Sequence, residues 1–175
     1  MKTIKFLTLI TVLTLGLSSC KKAADIDFTT DFNKTQSVHV NQTAGTAVTI
    51  SESSTIELEN DDTREYLEKI QEITVHSFSY KIKNFTGDPA GILSLDIIVN
   101  GTTILHNENT IVKEAADNET IFEVTDLNDL NIIATQLLAN RNATIEYTGT
   151  SLCDGGNMDF DIEIDISATI VANPL

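Results

Sequence analysis

The chain has 175 residues, 26 of them acidic and 11 basic, for a formal net charge of −15, and it contains no tryptophan. That length holds one domain with a real core, and the charge excludes nucleic acid as a partner and repels phosphate-rich membrane surfaces. Divalent cations or a basic protein fit such a charge, as does an acidic surface that only keeps a secreted domain soluble.

The chain opens on Met1-Lys2-Thr3-Ile4-Lys5, a short cationic start, followed from Phe6 to Leu17 by side chains that are almost all apolar or small. That is the pattern of a signal peptide. The run is shorter than the roughly 20 residues that cross a bilayer and is followed closely by Lys21 and Lys22. It ends in Leu17-Ser18-Ser19-Cys20, which resembles the lipobox of bacterial lipoprotein precursors, of the outer-membrane Bacteroidota type. The resemblance implies that residues 1–19 are removed and that the Cys20 sulfur, the one nucleophile suited to take a diacylglyceryl group, carries the membrane anchor. Lys21 rather than Asp after Cys20 implies an outer-membrane address, and whether the domain faces the periplasm or the outside stays open. Residues 20–24 then form a short lipidated tether and residues 25–175 a single domain. With Cys20 committed to lipid, no second cysteine is left to bridge Cys153, so no disulfide framework is expected. No His or Lys adjoins Cys153 in sequence, so it reads as a structural thiol.

Residues 25–58 read as several short Thr-, Val- and Ile-rich strands, among them Ser37-Val38-His39-Val40 and Thr46-Ala47-Val48-Thr49-Ile50. The stretch from Asp61 to Ile70 predicts a helix: Asp62 caps it, Glu65 and Lys69 pair, and Tyr66, Leu67 and Ile70 share a face. A long strand follows, with Ile73 and Val75 in one phase and Phe78, Tyr80 and Ile82 in the other. That change places a bulge near His76 and Ser77. Asn84 to Gly91 is a loop, Leu93, Leu95, Ile97 and Val99 alternate inward, and Asn100-Gly101 marks a two-residue hairpin to a strand at Thr102–His106. Two more strands, about Thr110–Lys113 and Thr120–Val124, flank a turn at Ala116-Asp117-Asn118.

From Asp126 to Asn140, Leu127, Leu130, Ile133, Ala134, Leu137 and Leu138 form the apolar stripe of a helix that packs on the sheet. The chain closes with strands at Ala143–Leu152 and Met158–Val171. In the last of these Phe160, Ile162, Ile164 and Ile166 point one way and Asp159, Asp161, Glu163 and Asp165 the other. Eight to ten short antiparallel strands with two short helices predict a mainly β, two-layer antiparallel β-sandwich, immunoglobulin-like or LEA-2-like. Residues from about Thr120 to Val171, with an apolar helix followed by a strand holding Tyr147 and Gly149, resemble the C-terminal part of the LEA-2 or WHy type of sandwich. That resemblance implies the fold and no common active site.

Nucleophile elbow, phosphate loop, helical zinc-binding histidine pair and paired cysteine knuckles are all absent from the sequence, and His39, His76 and His106 fall on different strands without ligand spacing. The best metal candidate is Asp154, Asn157, Asp159 and Asp161, hard oxygen donors beside a Gly-rich turn that suit Ca²⁺; the competing reading is a solvated strand face. Tyr66, Tyr80 and Tyr147 fit the core, which leaves little aromatic surface for carbohydrate. The expectation is therefore a non-catalytic module, anchored through Cys20, that engages another envelope or extracellular protein by its strand edges. A calcium-dependent or small-ligand binding module is the alternative.

Overall fold

A computed structural model describes residues 25–41, 45–154 and 156–175. The expected signal peptide, the lipidated Cys20 and the tether to residue 24 lie outside them. The strict alternation read near the C terminus builds the strand around which one sheet is organised. Counted along the chain, the strands are β1 (Ile26–Asn41), β2 (Val48–Glu57), β3 (Ile70–Gly87), β4 (Ile92–Val99), β5 (Thr102–Ile111), β6 (Ile121–Glu123), β7 (Asn142–Leu152) and β8 (Asn157–Ala172). Helix α1 (Val112–Asp117) lies between β5 and β6, and α2 (Leu127–Asn140) between β6 and β7.

Among the described residues two four-stranded sheets form, in the orders β1-β8-β3-β6 and β2-β7-β4-β5, with every pair antiparallel. The mainly β antiparallel sandwich with two short helices is therefore the architecture of the protein. Its strand order defines the topology more finely. First pairs with last (β1–β8), second with seventh, third with sixth and fourth with fifth, as if one long hairpin had been rolled up. That is a jelly roll, not the strand order of an immunoglobulin domain.

The core lies between the inner faces. Along β8, Met158, Phe160, Ile162, Ile164, Ile166, Ala168, Ile170 and Ala172 are all buried, facing Leu93, Leu95, Ile97, Val99 and Ile145 of the other sheet's inner side. The turn at Asn100-Gly101 has φ of 50° and 74°, the pair of left-handed residues a two-residue hairpin demands, and it joins β4 to β5. The expected bulge is present as a register shift against β8 between Val75 and Ser77, which keeps both Val75 and Phe78 inside.

Two local expectations are corrected. Residues 58–69 are not an α-helix but a series of turns ending in a 3₁₀ turn at Leu67–Lys69. The side chain of Asn60 accepts from the Asp62 and Thr63 amides, both at 2.9 Å, and the Thr63 hydroxyl donates to the Leu58 carbonyl, so side chains hold the backbone in a tight turn. Asp62 does not cap a helix; its carboxylate accepts from Thr30 Oγ1 at 2.9 Å. The second short helix is α1, in place of the strand expected at Thr110–Lys113 and the turn at Ala116-Asp117-Asn118. It forms because Val112 and Ala115, one helical turn apart, both bury against β3.

Candidate functional site

The acidic residues singled out for calcium do not converge. Asp154 sits in the β7–β8 connection, where its amide donates to Asp88 Oδ2 at 2.7 Å, and Asn157 opens β8 opposite Asn41. Asp159 lies on the outer face of the first sheet against His39 Nδ1. Asp161 accepts from Ser37 Oγ at 2.6 Å and Asn84 Nδ2 at 2.7 Å, and these two donors, Asn84 foremost, hold its carboxyl below the usual range. The register also sets Lys83 opposite Asp161 and Lys81 opposite Glu163. The outer face of β8 is thus a ladder of acids flanked by hydroxyls, amides and cations of its neighbours. Among the described residues no group of three His, Cys, Asp or Glu side chains is placed to hold one ion.

The histidines stay apart as well. His39 and His76 lie on the outer face of the first sheet, His76 Nε2 meeting Thr169 Oγ1 at 2.7 Å. His106 lies on the other sheet between Asp96 Oδ1 (2.6 Å) and Glu108 Oε1 (3.1 Å), and the hydrogen bond to Asp96, then that to Glu108, raises its pKa. Tyr80 and Tyr147 are core residues. Asn107 Nδ2 donates to the Tyr80 hydroxyl, the ring stacks on Phe122 with centroids 4.7 Å apart, and burial pushes the phenol far above its ordinary range. Tyr147 shares a buried hydrogen bond of 2.7 Å with Ser54 Oγ, and burial pushes its phenol up to about 12. Tyr66 is half-buried against Phe28. Cys153 is buried, its thiol donating to the Gly156 carbonyl at 3.1 Å.

What sequence reasoning missed is a cleft between α2 and the lower part of β3. Strand β6 pairs with β3 only from Ser79 to Lys81; Val124 N adds one bond to the Phe78 carbonyl at 3.0 Å, and the chain then leaves the sheet. Asp126 turns it into α2, its carboxylate accepting from Asn128 N at 2.7 Å. The helix buries Leu130, Ile133, Ala134 and Leu137. Leu127, Asn131, Ala134 and Leu138, spaced by four, three and four residues, face β3 across an open cavity of about 550 Å³. The facing wall is Glu72-Ile73-Thr74-Val75. Leu127 is 78% exposed at the mouth. The volume falls within the range of roughly 300–1,000 Å³ that ligand clefts occupy. The only hint in the sequence was the width of the α2 stripe, which takes in Leu127 and Leu138 beyond the positions the core uses.

No family model matches the chain, and no curated protein matches it. Among solved structures, the decameric BFDV capsid protein is similar at 9% identity and a TM-score of 0.42, over 83% of this chain and 99% of that one. The infectious bursal disease virus Gx strain structure is similar at 10% identity and a TM-score of 0.28, over 85% of this chain. The VP2 subviral particle of the same virus is similar at 9% identity and 0.29, over 86%. The chain spans 36% and 38% of the length of those last two.

Proposed function

We propose that the protein is an outer-membrane lipoprotein, anchored through Cys20, whose β-sandwich is a non-catalytic module that engages another envelope or extracellular protein. The anchor is supported by Leu17-Ser18-Ser19-Cys20 closing an apolar run, six residues before β1 begins at Ile26. The observation that carries the binding reading is the cleft beside β3, where a strand paired along its length with β8 but on its outer side only at Ser79–Lys81 borders an apolar and amide-bearing helix face.

Protease added to intact cells tests the location, with Cys20→Ala as the control that should no longer sediment with membranes. Digestion of the domain places it outside and favours a host or neighbour protein as partner; protection lost on permeabilising the outer membrane places it in the periplasm. A Cys20→Ala form still bound to membranes would overturn the anchor. The cavity volume also favours a second reading, a small-ligand module. Its calcium form requires the melting temperature to rise in millimolar Ca²⁺, and an unchanged melting curve rejects it.

A further inference from the structure

We propose that the open edge of β3 between Ile70 and Ser77 receives an extended basic segment of the partner protein as an added strand, seated between β3 and α2. This deepens the binding reading and rests on it.

The phase of the edge follows from one hydrogen bond and the registers. Val124 N donates to the Phe78 carbonyl, so Phe78 turns its main-chain groups away from β8 and toward β6. Strand β8 runs without interruption against β1, and its Ile166, Ala168 and Ile170 stand opposite Phe78, Val75 and Ile73. The bulge at Val75/Ser77 restores the alternation it interrupts. Ile73 and Val75 therefore turn their N–H and C=O groups to the same outer side as Phe78, and among the described residues no strand pairs with them there. Two residues apart on one strand, they offer a donor and an acceptor about every 6.8 Å, the spacing an incoming strand matches.

Natural proteins blunt such edges with Lys or Pro, with bulges or with a covering helix. Ile70–Ser77 contains neither Lys nor Pro, and although a bulge stands at Val75/Ser77 and α2 runs alongside, the open cavity between α2 and the strand leaves the edge uncovered. The surrounding charge selects the occupant. Glu72 stands on the strand wall, Glu123 ends β6 just above, and Asp126 and Asp129 flank the first turn of α2. Neither α2 nor Ile70–Ser77 has a Lys or Arg. An incoming segment meets this rim with Lys or Arg and places small or β-branched side chains against Leu127 and Leu138.

The test uses the intact chain in detergent micelles and a displayed library of random peptides of about eight residues, followed by synthesis of the best binder. Enriched peptides are expected to carry Lys or Arg among alternating β-formers. Affinity is expected to fall on the order of tenfold with Glu72→Lys or Leu127→Asp. The same loss is expected when alternate peptide amides are N-methylated, while methylation of the intervening amides is tolerated. Should Leu127→Asp disturb folding, Asn131→Arg, exposed on the same helix wall, blocks the cleft instead. Absence of enrichment, equal binding to wild type and variants, or uniform sensitivity to N-methylation overturns the proposal. So does a dimer in sedimentation that Leu127→Asp dissolves, since the occupant is then a second copy. A partner protein retained equally by wild type and both variants rejects this site while the broader binding reading stands. Its loss from both, together with the peptide, supports the two.

Discussion

Strands β8 and β3 lie side by side in one sheet and are nearly equal in length, yet one is regular and the other is not. β8 alternates buried and half-buried from Met158 to Ala172 and holds an unbroken register against β1. β3 shifts register against the same β8 three times, at Ile70/Glu72, Val75/Ser77 and Lys83/Thr86. The regular strand is central and carries the core on one face. The irregular one bends at each shift, gives up most of its outer neighbour, and leaves the edge that borders the cleft. Accessibility is thus confined to the start of β3, while its middle still buries Phe78, Tyr80 and Ile82 beside β8.

The strongest test of that division is truncation on each strand. Ile164→Ala, fully buried at the centre of β8, is expected to cost about 2–5 kcal/mol by urea denaturation. Ile73→Ala, beside the cleft, should cost clearly less, and equal costs would erase the distinction. Gly149→Ala probes the opposite sheet: a Cβ there overlaps the Ser94 carbonyl oxygen across the β7–β4 pair, and a loss of about 1–3 kcal/mol is expected.

A smaller effect separates the two sheets by their buried phenols. The Tyr147 pKa is raised from 10.0 to about 12, and Tyr80 rises further. Both groups are protonated in the fold and ionise more readily once unfolded, so their contribution is whole below pH 10 and is lost as pH climbs through the folded values. Unfolding midpoints measured from pH 9 upward should fall across that window. Tyr147→Phe should soften the fall while costing about 1 kcal/mol at neutral pH for the unpaired Ser54 hydroxyl. Smallest of all is the exposed His106, whose raised pKa adds stability present below pH 6.5 and lost as pH rises through its folded value. His106→Asn should flatten that slope without moving the alkaline one.

The sequence disclosed what repeats locally. Ile162, Ile164 and Ile166 against Asp161, Glu163 and Asp165 could only be a half-solvated strand, the phase change at His76 could only be a bulge, and Asn100-Gly101 named its own turn. The 61–70 stretch misled because Asp62, Glu65 and Lys69 satisfy helix rules that Asn60 and Thr63 override by closing turns with their side chains. α1 was hidden because six residues beginning with Val112 look like a strand end. The cleft had no local signature at all. It exists because β6 is three residues long and leaves the start of β3 facing α2, a relation between residues far apart in the chain, such as Ile73 and Leu127.

Pairing the first strand with the last also fixes when the molecule can close. Ile26 meets Ala172, so β1 has no sheet partner until the final segment of the chain is available, and until then β3 has only the three-residue β6 beside it. Contacts of such span make folding slow and prevent the first half from settling during synthesis. If residues 1–19 act as the proposed signal peptide, that late closure suits export, because β1 finds its sheet partner only once the sixteen-residue β8 is available.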